Sequence, residues 1–255
     1  MKANKLILAV FIIMLLTGSS FAQKYSDDSG SPDVVWFCPN EIYYPLDLWE
    51  PVGPGKAFIH IAFENADSVA AITLPLVWSG PLTLDSVTFR DSRVEYLEHK
   101  TINIDSDNNK ILIGAVPVTE HIIPPGRGIL ATLCFTLDTV GSAYMDTIFF
   151  PPLNHLYFVT SEPTSYVPFF IPSSFPAIEY YPGDVDHNQA VEVADIIYVA
   201  KYVFGFFPRP PYLVAADING DCQIELADAI YLANYLFKSG PQPVPGCLWD
   251  PSCAE

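Results

Sequence analysis

Two stretches of the chain, 33 residues apart, place oxygen-bearing residues at the same spacing. Asp184, Asp186, Asn188, Ala190, Glu192 and Asp195 stand at positions 1, 3, 5, 7, 9 and 12 of the first stretch. Asp217, Asn219, Asp221, Gln223, Glu225 and Asp228 stand at the same positions of the second. A hard divalent cation takes about six to eight oxygen ligands. One short loop can supply them with side chains at 1, 3 and 5, a backbone carbonyl at 7, an acid acting through water at 9 and a closing acid at 12. Oxygen-only ligands in an acidic loop suit calcium better than zinc or copper, so two calcium ions are expected, one per loop. A lone acidic cluster is usually a solvated face, but two in phase, each opening onto an apolar helix, are not explained that way.

Other chemistry is poorly provided for. Asp105 and Asp107 form a carboxylate pair of the kind a glycosidase needs, yet in the Ser/Asn-rich run Asp105–Asn109 they read as turn residues. His60 falls mid-strand, and His99, His121 and His155 lack Cys or carboxylate partners at ligand spacing. No nucleophile elbow, phosphate loop or dinucleotide fingerprint is present, so no catalysis is expected. Trp36, Trp49 and Trp78 have the chemistry to stack on sugars but read first as core or edge packing.

The elements that must hold the two loops lie just downstream of each. Ile197-Tyr198 answers Ile230-Tyr231, Ala200 answers Ala233, Tyr202 answers Tyr235 and Phe204 answers Phe237. The spacing predicts two helices with apolar stripes Val193, Ile196, Ile197, Ala200, Phe204 and Leu226, Ala229, Ile230, Ala233, Phe237. Ile197 and Ile230 are expected to pack helix against helix, leaving the tyrosines for contact with a partner. Position 6 turns with positive φ and usually takes Gly; here it holds Gln189 and Cys222, at a cost on the order of 1 kcal/mol each. Position 4 holds His187 in the first loop and Gly220 in the second, which favours the second loop's geometry.

Upstream, from Val34 to about Ile178, the chain reads as strands between turns. Ala57–Phe63, Val69–Trp78, Leu82–Phe89, Lys110–Val116, Ile129–Leu137 and Asp146–Phe150 are short and rich in Val, Ile, Thr, Phe and Leu. In Ile129-Ala131-Leu133-Phe135-Leu137 every second residue is apolar, with Thr132, Cys134 and Thr136 on the other face, as a half-buried strand requires. Gly53-Pro54-Gly55, Ser79-Gly80-Pro81 and Pro124-Pro125-Gly126 separate the runs. An antiparallel jelly-roll or Ig-like sandwich is the expected architecture. The stretch Pro168–Pro182 reads as a linker or as the sandwich's last strand and exit.

Residues 183-240 resemble the type I dockerin, in which two calcium loops each lead into a helix and position 12 is Asp. Departures are Gln189 and Cys222 at position 6 and His187 at position 4 of the first loop. The strand order around Ile72-Thr73-Leu74-Pro75-Leu76, Leu84–Phe89, Lys110–Ala115 and Gly128–Phe135 is similar to a cohesin-type or carbohydrate-binding sandwich over 34-178, which implies nine strands. The dockerin resemblance implies a cohesin-domain partner, on another protein or on another copy of this chain, met by Val193, Ala194, Tyr198, Lys201, Tyr202, Leu226, Ala227, Tyr231, Asn234 and Tyr235. The cohesin-like part implies a protein or polysaccharide ligand. Together the resemblances suggest a non-catalytic scaffold; a carbohydrate-binding accessory protein and a glycoside hydrolase subunit are the alternatives.

Composition narrows the setting. Lys2 and Lys5, the apolar run Leu6–Leu16 and Ser20-Phe21-Ala22 read as a signal peptide over 1-22, which predicts a secreted, cell-surface or periplasmic protein. Losing these two lysines and no acid deepens the net charge from -17 to -19, which excludes nucleic acid and anionic lipid as partners and attracts cations. No later apolar run approaches the ~20 residues of a membrane span. Export permits disulfides among Cys38, Cys134, Cys222, Cys247 and Cys253, with at least one thiol left over. The preferred pair is Cys222 with Cys247, tying the tail 241-255 to the second loop; Cys247 with Cys253 is the alternative.

Overall fold

The computed structural model describes residues 33–39, 41–46, 55–118, 122–151, 154–160 and 164–247. The signal segment 1-22, Trp49, His121 and Cys253 lie outside the described residues. One sheet has the order β12 (Phe169–Phe170), β1 (Val34–Cys38), β3 (Gly55–Asn65), β8 (Gly126–Leu137), β5 (Leu82–Thr88). The facing sheet runs β11 (Ser165–Tyr166), β10 (Tyr157–Thr160), β4 (Val69–Ser79), β7 (Lys110–Val116), β6 (His99–Asp105), with β9 (Ala143–Thr147) on β4 and β13 (Ser173–Phe175) on β9. A third, two-stranded ribbon pairs β2 (Ile42–Pro45) parallel to β14 (Ala177–Tyr180). The strands exceed the expected nine mainly through the short strands β2 and β11 to β14, which carry too few residues for a period-2 pattern to register.

The sandwich closes on alternating apolar residues. Ile59, Ile61 and Phe63 of β3 and Leu133, Phe135 and Leu137 of β8 face Ile72, Leu74 and Leu76 of β4 and Ile111 and Ile113 of β7, all fully or almost fully buried. Phe63 meets Phe158 edge-on at 6.0 Å and Trp78 meets Phe135 at 5.5 Å, joining the two sheets. Burying an aliphatic or aromatic side chain contributes roughly 1.5–3 kcal/mol, so this cluster is the main source of stability. Trp78 is therefore core, and its indole N–H donates to the Leu82 carbonyl. Pro75, with no N–H for a ladder, stands in β4 between the residues paired with β10 and those paired with β9.

The structure corrects one expectation and decides between the two readings of another. The alternation of β8 breaks at a bulge, where the partner of β3 jumps from Ala131 to Ile129 between Ile61 and Ala62. The extra residue, Leu130, takes the core place, and Ile129 is turned out to half-burial. The stretch Pro168–Pro182 is not a free linker. It carries β12, β13 and β14, which pair with β1, β9 and β2, and so is the sandwich's exit.

Asp105 ends β6 and Asp107 lies in the 3-10 turn Ser106–Asn108 of the β6–β7 hairpin, where Asp105 accepts from the Asn108 amide at 2.9 and 3.0 Å. His60 is buried in β3 with its Nδ1 2.8 Å from Thr132 Oγ1.

After β14 the chain enters the first acidic loop and then helices α1 (Val193–Val203), α2 (Leu213–Ala216) and α3 (Leu226–Lys238), the second loop lying between α2 and α3. Val185, Val199, Ala216, Ile218, Ala229 and Leu232 form a small separate core between them. Helix α1 stops where Gly205 takes φ +76°, its N–H donating to the Tyr202 carbonyl at 2.9 Å. Among the described residues no helix is long and apolar enough to cross a membrane.

Candidate metal centre and docking face

Each acidic loop is organised by its first and last aspartates. In the first, Asp195 Oδ1 accepts the Val185 and Asp186 amides at 2.8 and 3.3 Å, and Oδ2 accepts that of Glu192 at 2.9 Å. In the second, Asp228 Oδ1 accepts the Ile218 and Asn219 amides at 2.8 and 3.2 Å, and Oδ2 that of Glu225 at 2.9 Å. The bond to Glu192 or Glu225 also caps α1 or α3, so one carboxylate both closes the loop and starts the helix. Positions 4 and 6 are left-handed in both loops: φ is 61° at His187 and 70° at Gln189, 72° at Gly220 and 64° at Cys222.

In the first loop the carboxylates converge. Oxygens of Asp184, Asp186 and Asp195 lie within 4.8 Å of one another. Asn188 bridges positions 3 and 9, its amide donating to Asp186 at 3.2 Å and Glu192 at 3.4 Å. Asn219 donates to Asp221 at 2.9 Å, and the Ala190 and Gln223 amides donate to the side chains at position 5. Burial raises the Asp195 carboxyl to about 6, against the pull of its three amides. Burial likewise raises Asp184 and Asp217, and for Asp217 the charges of Asp228 and Asp221 add to it.

The loops differ in one respect. Asp184 has both oxygens engaged, Oδ1 by the Asn188 amide and Oδ2 by that of Gln189. Asp217 receives the Cys222 amide at 3.1 Å and the Cys247 amide at 2.9 Å on the same oxygen, Oδ2. Its Oδ1 is buried and accepts no hydrogen bond, in a residue with 0% exposure. Such an oxygen fits a hard divalent cation, since an unsatisfied buried carboxylate is otherwise strongly penalised. The sulfurs of Cys222 and Cys247 lie close to Asp217 but are joined in a disulfide, so they are not thiolate ligands. That is the preferred pairing. Cys38 is also disulfide-bonded, and Cys134 is the free cysteine among the described residues.

The helix faces are rotated from the expected orientation. Ile197 is 48% exposed and Ile230 56%, whereas Tyr198, Tyr231 and Tyr235 are half-buried against the helical core. Tyr231 also donates to the Gln242 carbonyl, and Phe207 covers Tyr198 edge-on at 5.0 Å and lies under Lys201 Nζ at 4.6 Å. Tyr202, Ala227 and Asn234 are half-buried too, while Ala194 and Lys201 are exposed. Helix α1 is apolar on every side except Asp195 and Lys201, so periodicity gives no unique inward face. The outward residues repeat at the loops' own offset: Val193 with Leu226, Ile197 with Ile230, Phe204 with Phe237, all exposed.

Sequence reasoning missed the seating of this unit on the sandwich. Tyr180 at the end of β14, with Val214 and Ala215 of α2, forms a buried cluster against Tyr43 and Tyr212. Gly246 packs flush on Asp217 and Val214, leaving no room for a Cβ, and its N–H meets the Tyr180 hydroxyl. Only the cysteine in the tail signalled any of this.

The fold is a mainly β sandwich followed by paired loop-helix units. No protein-family model matches the chain, and no curated protein matches it. Among solved structures it is similar to the seventh ScaB type I cohesin of Pseudobacteroides cellulosolvens, at 18% identity over 59% of this chain and 94% of that chain, with TM-score 0.46. It is also similar to a chain of the Coh-OlpA-Doc918 cohesin–dockerin complex of Clostridium thermocellum, at 9% identity over 58% and 100%, with TM-score 0.46. A non-cellulosomal cohesin of the archaeon Archaeoglobus fulgidus is a third, at 15% over 58% and 92%, with TM-score 0.43.

Proposed function

We propose that this protein is an exported, non-catalytic assembly protein whose C-terminal unit binds two calcium ions and docks onto a cohesin-type sandwich. The observation that carries the reading is the duplication itself. Two loops with the same oxygen spacing, each closed by an aspartate taking three amides, present equivalent outward stripes on α1 and α3. Calcium would be held by Asp184, Asp186, Asn188, Glu192 and Asp195, and by Asp217, Asn219, Asp221, Glu225 and Asp228, with the carbonyls of Ala190 and Gln223. The ion would offset the mutual repulsion of these carboxylates and fix the angle at which each helix leaves its loop.

The partner sandwich belongs to another protein or to a second copy of this chain. Capture of a purified cohesin module by the full chain in millimolar calcium, and its release by chelator, tests the reading. Calcium-insensitive binding to insoluble glycan, or hydrolysis of glycan lost in Asp105→Asn, would replace it with one of the alternatives.

A further inference from the structure

We infer that the two calcium sites are unequal, and that the second is the tighter one because the Cys222–Cys247 disulfide positions its first ligand. The inference rests on the calcium reading above. It starts from the difference between Asp184 and Asp217. In the first loop each oxygen of Asp184 already accepts one amide, so an incoming ion must share its oxygen with a donor. In the second, both half-cystine amides donate to Asp217 Oδ2, and the buried Oδ1 has no competing donor. The carboxylate is therefore held in place before the ion arrives, with one oxygen free, which removes an ordering cost from binding.

The bridge is what brings the second donor there. Cys247 lies 30 residues beyond Asp217 and outside the twelve-residue loop, so its amide reaches the ligand only while the tail is held. The tether joins position 6, where Cys222 takes φ 64°, to the tail, where Gly246 packs against Asp217. Val244 adds a backbone bond to Ile218 at 3.1 Å. Nothing equivalent touches Asp184 among the described residues. Cys222 and Cys247 are thus positioning residues for the metal, and neither sulfur ligates it.

Calorimetric titration of the full, metal-stripped chain with calcium chloride tests this. The expected result is two ions bound with separated affinities. Asp217→Asn should remove the tighter class and Asp184→Asn the weaker. The double variant Cys222→Ser/Cys247→Ser should weaken the tighter class by roughly tenfold to a hundredfold, the scale of a closed loop of this length when coupled in part to binding, and leave the weaker class unchanged. That unchanged class, with the far-UV circular dichroism of the calcium-saturated protein, shows that the variant is folded. Cys222→Gly/Cys247→Ser gives position 6 a residue that accepts positive φ; it should remain weakened, because the tail is still free. Equal affinities in the unaltered chain, or full recovery in the glycine variant, would overturn the inference while leaving calcium binding intact. Absence of calcium heat in the unaltered chain would overturn both.

Discussion

The imidazole of His187 stands edge-on to the ring of Tyr212, with centroids 4.5 Å apart and planes at 83°. His187 is position 4 of the first loop, and Tyr212 continues to Tyr43 of β2 at 5.6 Å. A residue of the first loop is thereby two aromatic contacts from the sandwich. Tyr212→Ala should loosen this seat, at a cost of about 2–4 kcal/mol from lost burial and two ring contacts. Hydrogen exchange should speed up at Ile42–Leu46 and Ala177–Tyr181 but stay slow in β3 and β8; unchanged exchange in β2 would show that the seat does not depend on Tyr212.

Calcium should raise the helix content and melting temperature of the chain relative to chelator, by about 2.7 kcal/mol per site at a hundredfold excess over the dissociation constant. Asp228→Ala should be worse than loss of calcium alone, since three amides lose their acceptor at about 1–3 kcal/mol even without the ion. Asp221→Asn, which keeps an oxygen for Gln223, should reduce calcium binding and leave the metal-free melting curve nearly unchanged. Superimposable melting curves in chelator and calcium would remove the metal from the account.

The outward stripes predict a docking pattern. Ile197→Asp alone should weaken capture of a cohesin module only about twofold, because one of two equivalent orientations survives. Ile197→Asp with Ile230→Asp should reduce it by more than about a hundredfold, as expected when the centre of an apolar contact is lost in both. A full loss from either single change, read by surface plasmon resonance, would show that only one helix docks.

Acid should weaken the sandwich through His60. Burial lowers its pKa from 6.5 to about 4, so the neutral ring is the folded form. The unfolded chain takes up the proton first, and stability is full above about pH 6.5 and falls as pH drops toward 4. The size is on the order of 3 kcal/mol. His60→Gln should flatten this slope in urea unfolding followed between pH 7 and 4; an equally steep slope in the variant would assign it elsewhere.

The sandwich and the repeat were legible from sequence for the same reason: both are periodic over enough residues. β7 falls on its expected bounds, and Ala57–Phe63, Val69–Trp78, Leu82–Phe89 and Ile129–Leu137 differ by one to three residues at their ends, whereas Asp146–Phe150 shares only two residues with β9 (Ala143–Thr147). The exceptions come from physics that spacing does not carry. Leu130 reverses the face of Ile129 through a bulge, and β14 has four residues with a proline before it. Ile197 and Tyr198 are adjacent bulky side chains on a helix apolar almost all round, so only the packing of α1 on α3 decides which turns inward. Cys247 reached the second acidic loop by a contact across 30 residues, visible in sequence only as a cysteine to be paired.

The four-residue ribbon of β2 and β14 has a mechanical meaning. Its strands are parallel, registered from Ile42 opposite Ala177 to Pro45 opposite Tyr180, and the chain leaves β14 straight into the first loop. A pull applied through the helices acts along β14 and strains its bonds to β2 together, in shear, instead of opening them one at a time from an end. With no slack between the two parts, tension on a partner held by the helices would pass into the sandwich with little give, and a string of such units would behave as a jointed rod and not as beads on a loose thread.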